Sequence, residues 1–160
     1  DFDGFGIGGS FDKDDMTTIV ALVNEILPEE KPRHMLGIGE IEDLFEGVQR
    51  GVDLFDCAHP TRIARNGTLL TVYGKKDVLK AEHKEKFEPI EENCGCYACT
   101  NYTKAYLHHL FKANELLGYR LATIHNLYFV VHLVDAMRAA IIDGSFFDFK
   151  KEFLGKYRGG

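Results

Sequence analysis

Apolar positions in the first 56 residues follow two rhythms. Phe5-Gly6-Ile7 follows alternating Asp and Phe and runs into Gly8-Gly9-Ser10, which predicts a short strand and a turn. Met16, Ile19, Val20, Val23, Ile26 and Leu27 then fall at three- and four-residue steps, the single apolar stripe of a helix. Ser10 or Asp12 is its expected cap and Pro28 its stop. His34-Met35-Leu36-Gly37-Ile38 reads as a buried strand. Ile41, Leu44, Phe45 and Val48 form one face of a second helix that ends at Gly51, and Val52-Asp53-Leu54-Phe55 is a third strand. The order β-α-β-α-β implies parallel strands joined by right-handed crossovers. A closed barrel takes eight such units and about 250 residues. Residues 1–56 therefore fit an open sheet or the last part of a barrel, and periodicity does not choose between them.

The rhythm breaks after Asp56. Residues 57–67 hold Pro60 and Arg65-Asn66-Gly67 with few apolar anchors, which predicts a loop. Thr68-Leu69-Leu70-Thr71-Val72-Tyr73 and Gly74 predict a short hairpin, and residues 75–93 read as charged and irregular, with Lys75-Lys76 as surface decoration. A helix is expected from about Tyr102 to Leu117, ended by Gly118. Another starts near Thr123, carries Leu127, Val131, Val134 and Ile141 on one face and closes at Gly144. Phe146, Phe147, Phe149 and Phe153 make a last aromatic helix turn.

Composition places this pattern among ordinary globular chains. The 160 residues are 45% hydrophobic and 28% charged, enough apolar surface for a core and unlike a disordered or collagenous chain. No apolar run reaches the roughly 18 residues of a membrane span. The opening Asp1-Phe2-Asp3 has neither the basic nor the apolar stretch of a secretion leader, and the lack of an initial Met fits a piece of a longer polypeptide. The net charge of −6 argues against a surface coated for nucleic acid, but the charge is divided. Residues 1–61 carry 4 basic and 14 acidic side chains, a net of −10, and residues 62–160 carry 15 and 11, a net of +4. A polyanion would meet the second part; the alternative is an unevenly charged, solvated surface.

Four Cys are too few for a disulfide scaffold, and three of them form Cys94-x-Cys96-x-x-Cys99. Three thiols that close together are the start of a tetrahedral metal site in a reducing, cytoplasmic compartment. The fourth ligand would be His83, His108, His109, His125 or His132. His125 follows Cys99 by 26 residues on the first turn of the expected next helix, a distance that suits a helical hairpin folding back. Four protein ligands leave no open position, so the metal would hold structure. The alternative is three unliganded thiols. Cys57 stands apart and reads as a buried structural thiol.

Asp56 falls where a strand ends and a loop begins, the active-site side of parallel α/β architectures. A carboxylate there serves as nucleophile, base or ligand, or merely caps a turn. Arg62 and Arg65 follow within nine residues, and their planar forks suit phosphate. Together they point to chemistry on a sugar-phosphate polymer. Gly8 and Gly9 at the first strand end leave room for a ligand close to backbone amides, or form a plain turn.

The combination Phe55-Asp56-Cys57-x-x-Pro60-Thr61-Arg62-x-x-Arg65-Asn66-Gly67, the Cys cluster, Tyr106-Leu107-His108-His109-Leu110 and Thr123-Ile124-His125-Asn126 resembles the tRNA-guanine transglycosylase (queuine tRNA-ribosyltransferase) family. The resemblance covers essentially the whole chain. It implies an α/β fold, the C-terminal part of a (β/α)8 TIM barrel with an inserted zinc-binding subdomain. Residues 1–67 would hold the last three βα units and active-site loop, 68–125 the hairpin and zinc subdomain, and 126–160 the closing helices. By matching positions, Asp56 resembles the nucleophile that attacks the ribose of the wobble guanosine of tRNA. A deazaguanine base, queuine or its precursor, then replaces guanine by double displacement. Arg62 and Arg65 resemble residues that grip tRNA, Gly8 and Gly9 the segment that contacts the incoming base, and Leu36 stands where many bacterial members carry a base-stacking Met. Cys94, Cys96, Cys99 and His125 match the ligands of one structural Zn²⁺ per chain. The resemblance further implies a homodimer through the zinc region. The family's general acid and other base-binding residues belong to earlier strands, so the isolated chain is expected to be inactive. The alternative is a non-catalytic, zinc-containing RNA-binding or dimerisation module.

Overall fold

The computed structural model describes residues 2–9 and 13–159, with the backbone alone at residues 13 and 14. The expected Ser10 and Asp12 caps lie outside the described residues. The chain divides into two compact units, one ending at His59 and one beginning at Pro60.

The first unit runs β1 (Phe5–Ile7), α1 (Lys13–Ile26), β2 (Arg33–Leu36), α2 (Ile41–Gln49) and β3 (Leu54–Asp56). Its three strands are parallel in the order β1-β2-β3, with Ile7 opposite Met35, Met35 opposite Phe55 and Leu36 opposite Asp56. Side chains alternate across a strand, so Ile7, Met35 and Phe55 share one face. Met16 and Val20 of α1 pack on that face with Val23, Leu27 and Val52. Ile41, Leu44 and Phe45 bury the inner stripe of α2, and Glu42 and Asp43 lie in its first turn, where acidic groups complement the helix dipole. The other sheet face carries Gly6, His34, Leu36, Leu54 and Asp56, and no described element of this unit packs on it. Leu36 is 47% and Leu54 54% exposed.

The second unit opens within α3 (His59–Arg65), where a loop was expected. Pro60 sits in the first helical turn, where its missing N–H leaves no bond unmade, and Ala64 is the buried anchor that the composition concealed. Strands β4 (Thr68–Thr71) and β5 (Gly74–Asp77) pair antiparallel from Thr68 opposite Asp77 to Thr71 opposite Gly74. β5 lies in the stretch expected to be irregular; its ladder is made by backbone, so its charged side chains do not prevent it. Helices α4 (Tyr97–Asn101), α5 (Lys104–Lys112), α6 (Leu116–Ile142) and α7 (Phe146–Arg158) follow.

The helix boundaries also correct the sequence reading. Instead of one helix from Tyr102 to Leu117, the backbone is extended at Tyr102 and Thr103, and the Thr103 hydroxyl caps α5 by accepting from Tyr106 N at 3.2 Å. Asn114, with φ of +56°, then turns the chain into α6. Gly118 lies inside the first turns of α6 and ends nothing. A Cβ there would approach Leu110 Cβ to 3.0 Å, so its role is the close crossing of α5 and α6. α6 begins at Leu116, not near Thr123, and the closing aromatic turn is a 13-residue helix. Leu69, Val78, Ile90, Ala98, Leu107, Leu110, Phe111 and Leu121 form the core of this unit. No helix among the described residues is long and apolar enough to cross a membrane.

Candidate metal centre and strand-end carboxylate

The second unit gathers Cys94, Cys96, Cys99 and His125, whose ligand atoms all lie within 4.8 Å of one another. Cys96 caps the short α4, its sulfur accepting from Cys99 N at 3.3 Å, which curls the last two thiols toward one point. A Cβ on Gly95 would lie 2.7 Å from the Tyr128 hydroxyl, so glycine lets the loop approach α6 this closely. His125 sits in the third turn of α6, not the first, and is fully buried. Its Nδ1 is 3.8, 3.5 and 3.4 Å from the sulfurs of Cys94, Cys96 and Cys99. A tetrahedral ion with Zn–S of about 2.3 Å and Zn–N of about 2.0 Å sets sulfur-to-nitrogen separations near 3.5 Å. The opposite ring nitrogen, Nε2, donates to Leu70 O at 2.7 Å and so aims Nδ1 at the sulfurs. Donor set and spacing both fit a metal ion.

The other histidines are engaged elsewhere or face away. Buried His108 donates from Nδ1 to Val78 O at 2.8 Å, His132 bonds Tyr128 O and stacks on that ring, His109 is exposed, and His83 lies beside Glu82.

The four candidate ligands compete for protons. A hydrogen bond with the Cys99 thiol, opposed by burial and helped by the His125 ring, holds the Cys96 thiol down at about 3. The same bond, together with burial, pushes the Cys99 thiol up. Burial works against charge on His125, yet its hydrogen bonds to Cys94, Cys96 and the Leu70 carbonyl carry it up to about 9. A cation binding all four must displace the protons on Cys99 and His125.

Asn126, adjacent to His125, is fully buried; it stood within Thr123-Ile124-His125-Asn126 in the sequence reading but was given no role there. Its Oδ1 accepts from Leu70 N at 2.9 Å, and its Nδ2 donates to Thr68 O at 2.9 Å and Pro60 O at 3.1 Å. His125 and Asn126 thus hold both backbone groups of Leu70, and Asn126 ties the first turn of α3 to α6. Arg62 and Arg65 project from the last turn of α3, exposed and three residues apart. Among the described residues neither makes an ion pair.

In the first unit, Asp56 ends β3 with its side chain 60% exposed, and its Oδ1 lies 2.9 Å from His34 Nε2. Gly8 and Leu36 adjoin on the same sheet face, a Cβ on Gly8 approaching Leu36 Cδ1 to 2.9 Å, and Gly9 is exposed beyond them. Asp53 differs in role: its Oδ2 accepts from Arg33 N at 2.8 Å and locks neighbouring strands. Cys57 is half-buried, not buried; its sulfur accepts from His59 N at 3.1 Å and lies 3.6 Å from Gly37 O. His34 is the residue the sequence reading missed. Its only signal was its place two residues before Leu36, hence on the same face.

A family model described as queuine tRNA-ribosyltransferase matches residues 1–159. A protein of that name from Thermoanaerobacter pseudethanolicus is 54% identical over 160 residues, covering 98% of this chain and 43% of the relative. One from Pelotomaculum thermopropionicum is 51% identical, covering 99% and 44%, and one from Bacillus pumilus is 48% identical, covering 98% and 42%. The chain thus spans less than half the length of the curated relatives it matches.

Proposed function

The chain belongs to the queuine tRNA-ribosyltransferase family, and from that premise we propose that it is the C-terminal part of a tRNA-guanine transglycosylase, a pentosyltransferase. The observation that carries the reading is Asp56: an exposed carboxylate at the C-terminal end of a parallel strand, on the open face shared with Gly8 and Leu36. In the proposed reaction an Asp56 oxygen bonds to the ribose anomeric carbon of the wobble guanosine. The glycosidic bond breaks and its electron pair leaves with guanine, which takes a proton from an acid supplied by the remaining polypeptide. The ring nitrogen of a deazaguanine base then gives up its proton, bonds to the same carbon and displaces Asp56 as carboxylate. Two inversions retain the anomeric configuration, as in retaining glycosidases.

Gly8 and Gly9 leave space for the incoming base and Leu36 packs on its ring. Arg62 and Arg65 hold the phosphates of tRNA. The bare sheet face supports a (β/α)8 barrel, because parallel sheets are covered on both faces and a barrel closes the second one on itself. In that reading residues 1–67 end the barrel, 68–125 form the hairpin and metal subdomain, and 126–160 close the fold. Cys94, Cys96, Cys99 and His125 would hold one Zn²⁺, which joins the Cys loop to α6 and does no chemistry on substrate. Exposed Tyr97, half-buried Tyr102 and exposed Tyr106 form an aromatic ladder beside the cluster, with ring centroids 5.8 and 5.4 Å apart. Such an aromatic surface supports a homodimer through the metal region. Four free thiols support a reducing, cytoplasmic setting.

The test is a polypeptide spanning the family's full length and carrying this segment. Incubated with tRNA and resolved on a denaturing gel, it should show a covalent RNA adduct that Asp56→Asn abolishes. An undiminished adduct in the variant removes Asp56 from the nucleophile role and leaves the non-catalytic RNA-binding reading.

A further inference from the structure

We infer that His34 is a positioning residue for Asp56, fixing one carboxylate oxygen so that the other faces the sugar; the inference rests on the reading of Asp56 as nucleophile. The pair is made by strand register. β2 sets His34 opposite Leu54, and Asp56 stands one same-face step further along β3, so both side chains rise from the open face. His34 Nε2 then meets Asp56 Oδ1 at 2.9 Å. Among the described residues the Asp56 side chain has no second hydrogen-bond or ion-pair partner.

Within this segment the contact is not part of the packed core, the side chains being 36% and 60% exposed. Its chemistry gives it a role. A free carboxylate rotates about its Cβ–Cγ bond, and most orientations point neither oxygen's lone pair at a bound sugar. An ionised carboxylate only accepts hydrogen bonds, so the partner nitrogen must carry the proton, and Nε2–H holds Oδ1. Oδ2 is then the attacking atom. In the ribosyl ester Oδ2 carries the sugar and Oδ1 is the carbonyl oxygen still facing Nε2–H. When the incoming base displaces the ester, the electron pair of the broken bond returns to the carboxylate, and the same N–H stabilises the charge that develops there. His34 therefore acts in both half-reactions without gaining or losing a proton.

The experiment uses the full-length polypeptide with His34→Ala, His34→Leu and His34→Gln, measured for guanine exchange into tRNA. Ala removes the donor, Leu removes it while keeping the strand surface filled, and Gln returns an N–H at similar reach. Loss of a hydrogen bond to a charged group should lower kcat about 10- to 100-fold for both Ala and Leu. KM for tRNA should stay within about twofold, and Gln should recover most of the lost kcat. A purely structural His34 would not give this split or this rescue. The wild-type RNA adduct, and its loss in Asp56→Asn, are measured alongside. If that adduct behaves as expected but Ala and Leu retain kcat, or Gln is as slow as Ala, the inference about His34 fails alone. If the wild type forms no adduct, the reading of Asp56 and the inference fail together.

Discussion

Replacing Asn126 by alanine strips partners from three backbone groups at once. Leu70 N–H loses its acceptor, and the carbonyls of Thr68 and Pro60 lose their donor. Leu70 is 1% exposed, so no solvent reaches its amide. A buried donor left unsatisfied costs about 1–3 kcal/mol, and each carbonyl, with a second lone pair to use, about 1 kcal/mol. The expected loss is therefore about 3–5 kcal/mol, at the upper end of single-substitution effects. Urea unfolding of the metal-loaded protein, followed by far-ultraviolet circular dichroism, should show the midpoint fall by roughly 1.5–5 M at an m value of about 1–2 kcal/mol/M. Asn126→Asp sharpens the test. Its carboxylate keeps an acceptor for Leu70 N–H but turns the second oxygen toward two carbonyls, and only the protonated form can donate to one of them. Its folded-state pKa should lie above the unfolded value near 3.9, so relative stability is retained below that pH and lost as pH rises through the folded value. Compared with the parent at each pH, the aspartate variant should be less damaging at pH 4 than at pH 8. A loss below about 1 kcal/mol for Asn126→Ala would refute the claim that this amide joins α3, β4 and α6.

The remaining expectations concern metal and RNA. Elemental analysis should find about one zinc per chain, reduced in Cys96→Ser. Because the His125 ring holds its proton up to about 9 and the Cys99 thiol is pushed up, zinc must expel protons to bind. Affinity in a competitive chelator titration should therefore rise from pH 6 to pH 8, and a pH-independent affinity would contradict the proton competition. Arg62→Ala and Arg65→Ala should each weaken tRNA binding and reduce the salt slope of log K by about 0.7–1, with metal content unchanged. An unaltered slope would remove that arginine from phosphate contact.

Some of this molecule was written locally. The spacing Cys94-x-Cys96-x-x-Cys99 places three thiols within six residues whatever surrounds them. The two apolar stripes and the alternation of strands and helices in residues 1–56 follow from periods of 3.6 and 2 that need no tertiary partner. Asp56 at a strand end was legible for the same reason. Other features were not local. Thr103 caps one helix and Asn114 turns the chain into the next, yet apolar periodicity runs on through both, so one helix was expected where there are two. Gly118 carries the signature of a helix end but serves as the point where Leu110 crosses. Five histidines could have completed the metal set by residue type. Only the return of α6 past β4 engages His125 through Leu70 and turns its free nitrogen to the sulfurs. His34 and Asp56 meet because strand register slides β3 along β2 until their side chains align, and residue order carries no direct sign of register. The sequence by itself determined which groups are present and which elements bear them. Tertiary structure decided which of them meet, because contacts between residues tens of positions apart depend on how whole elements pack, and that is set by the sum of the core and not by any short run of residues.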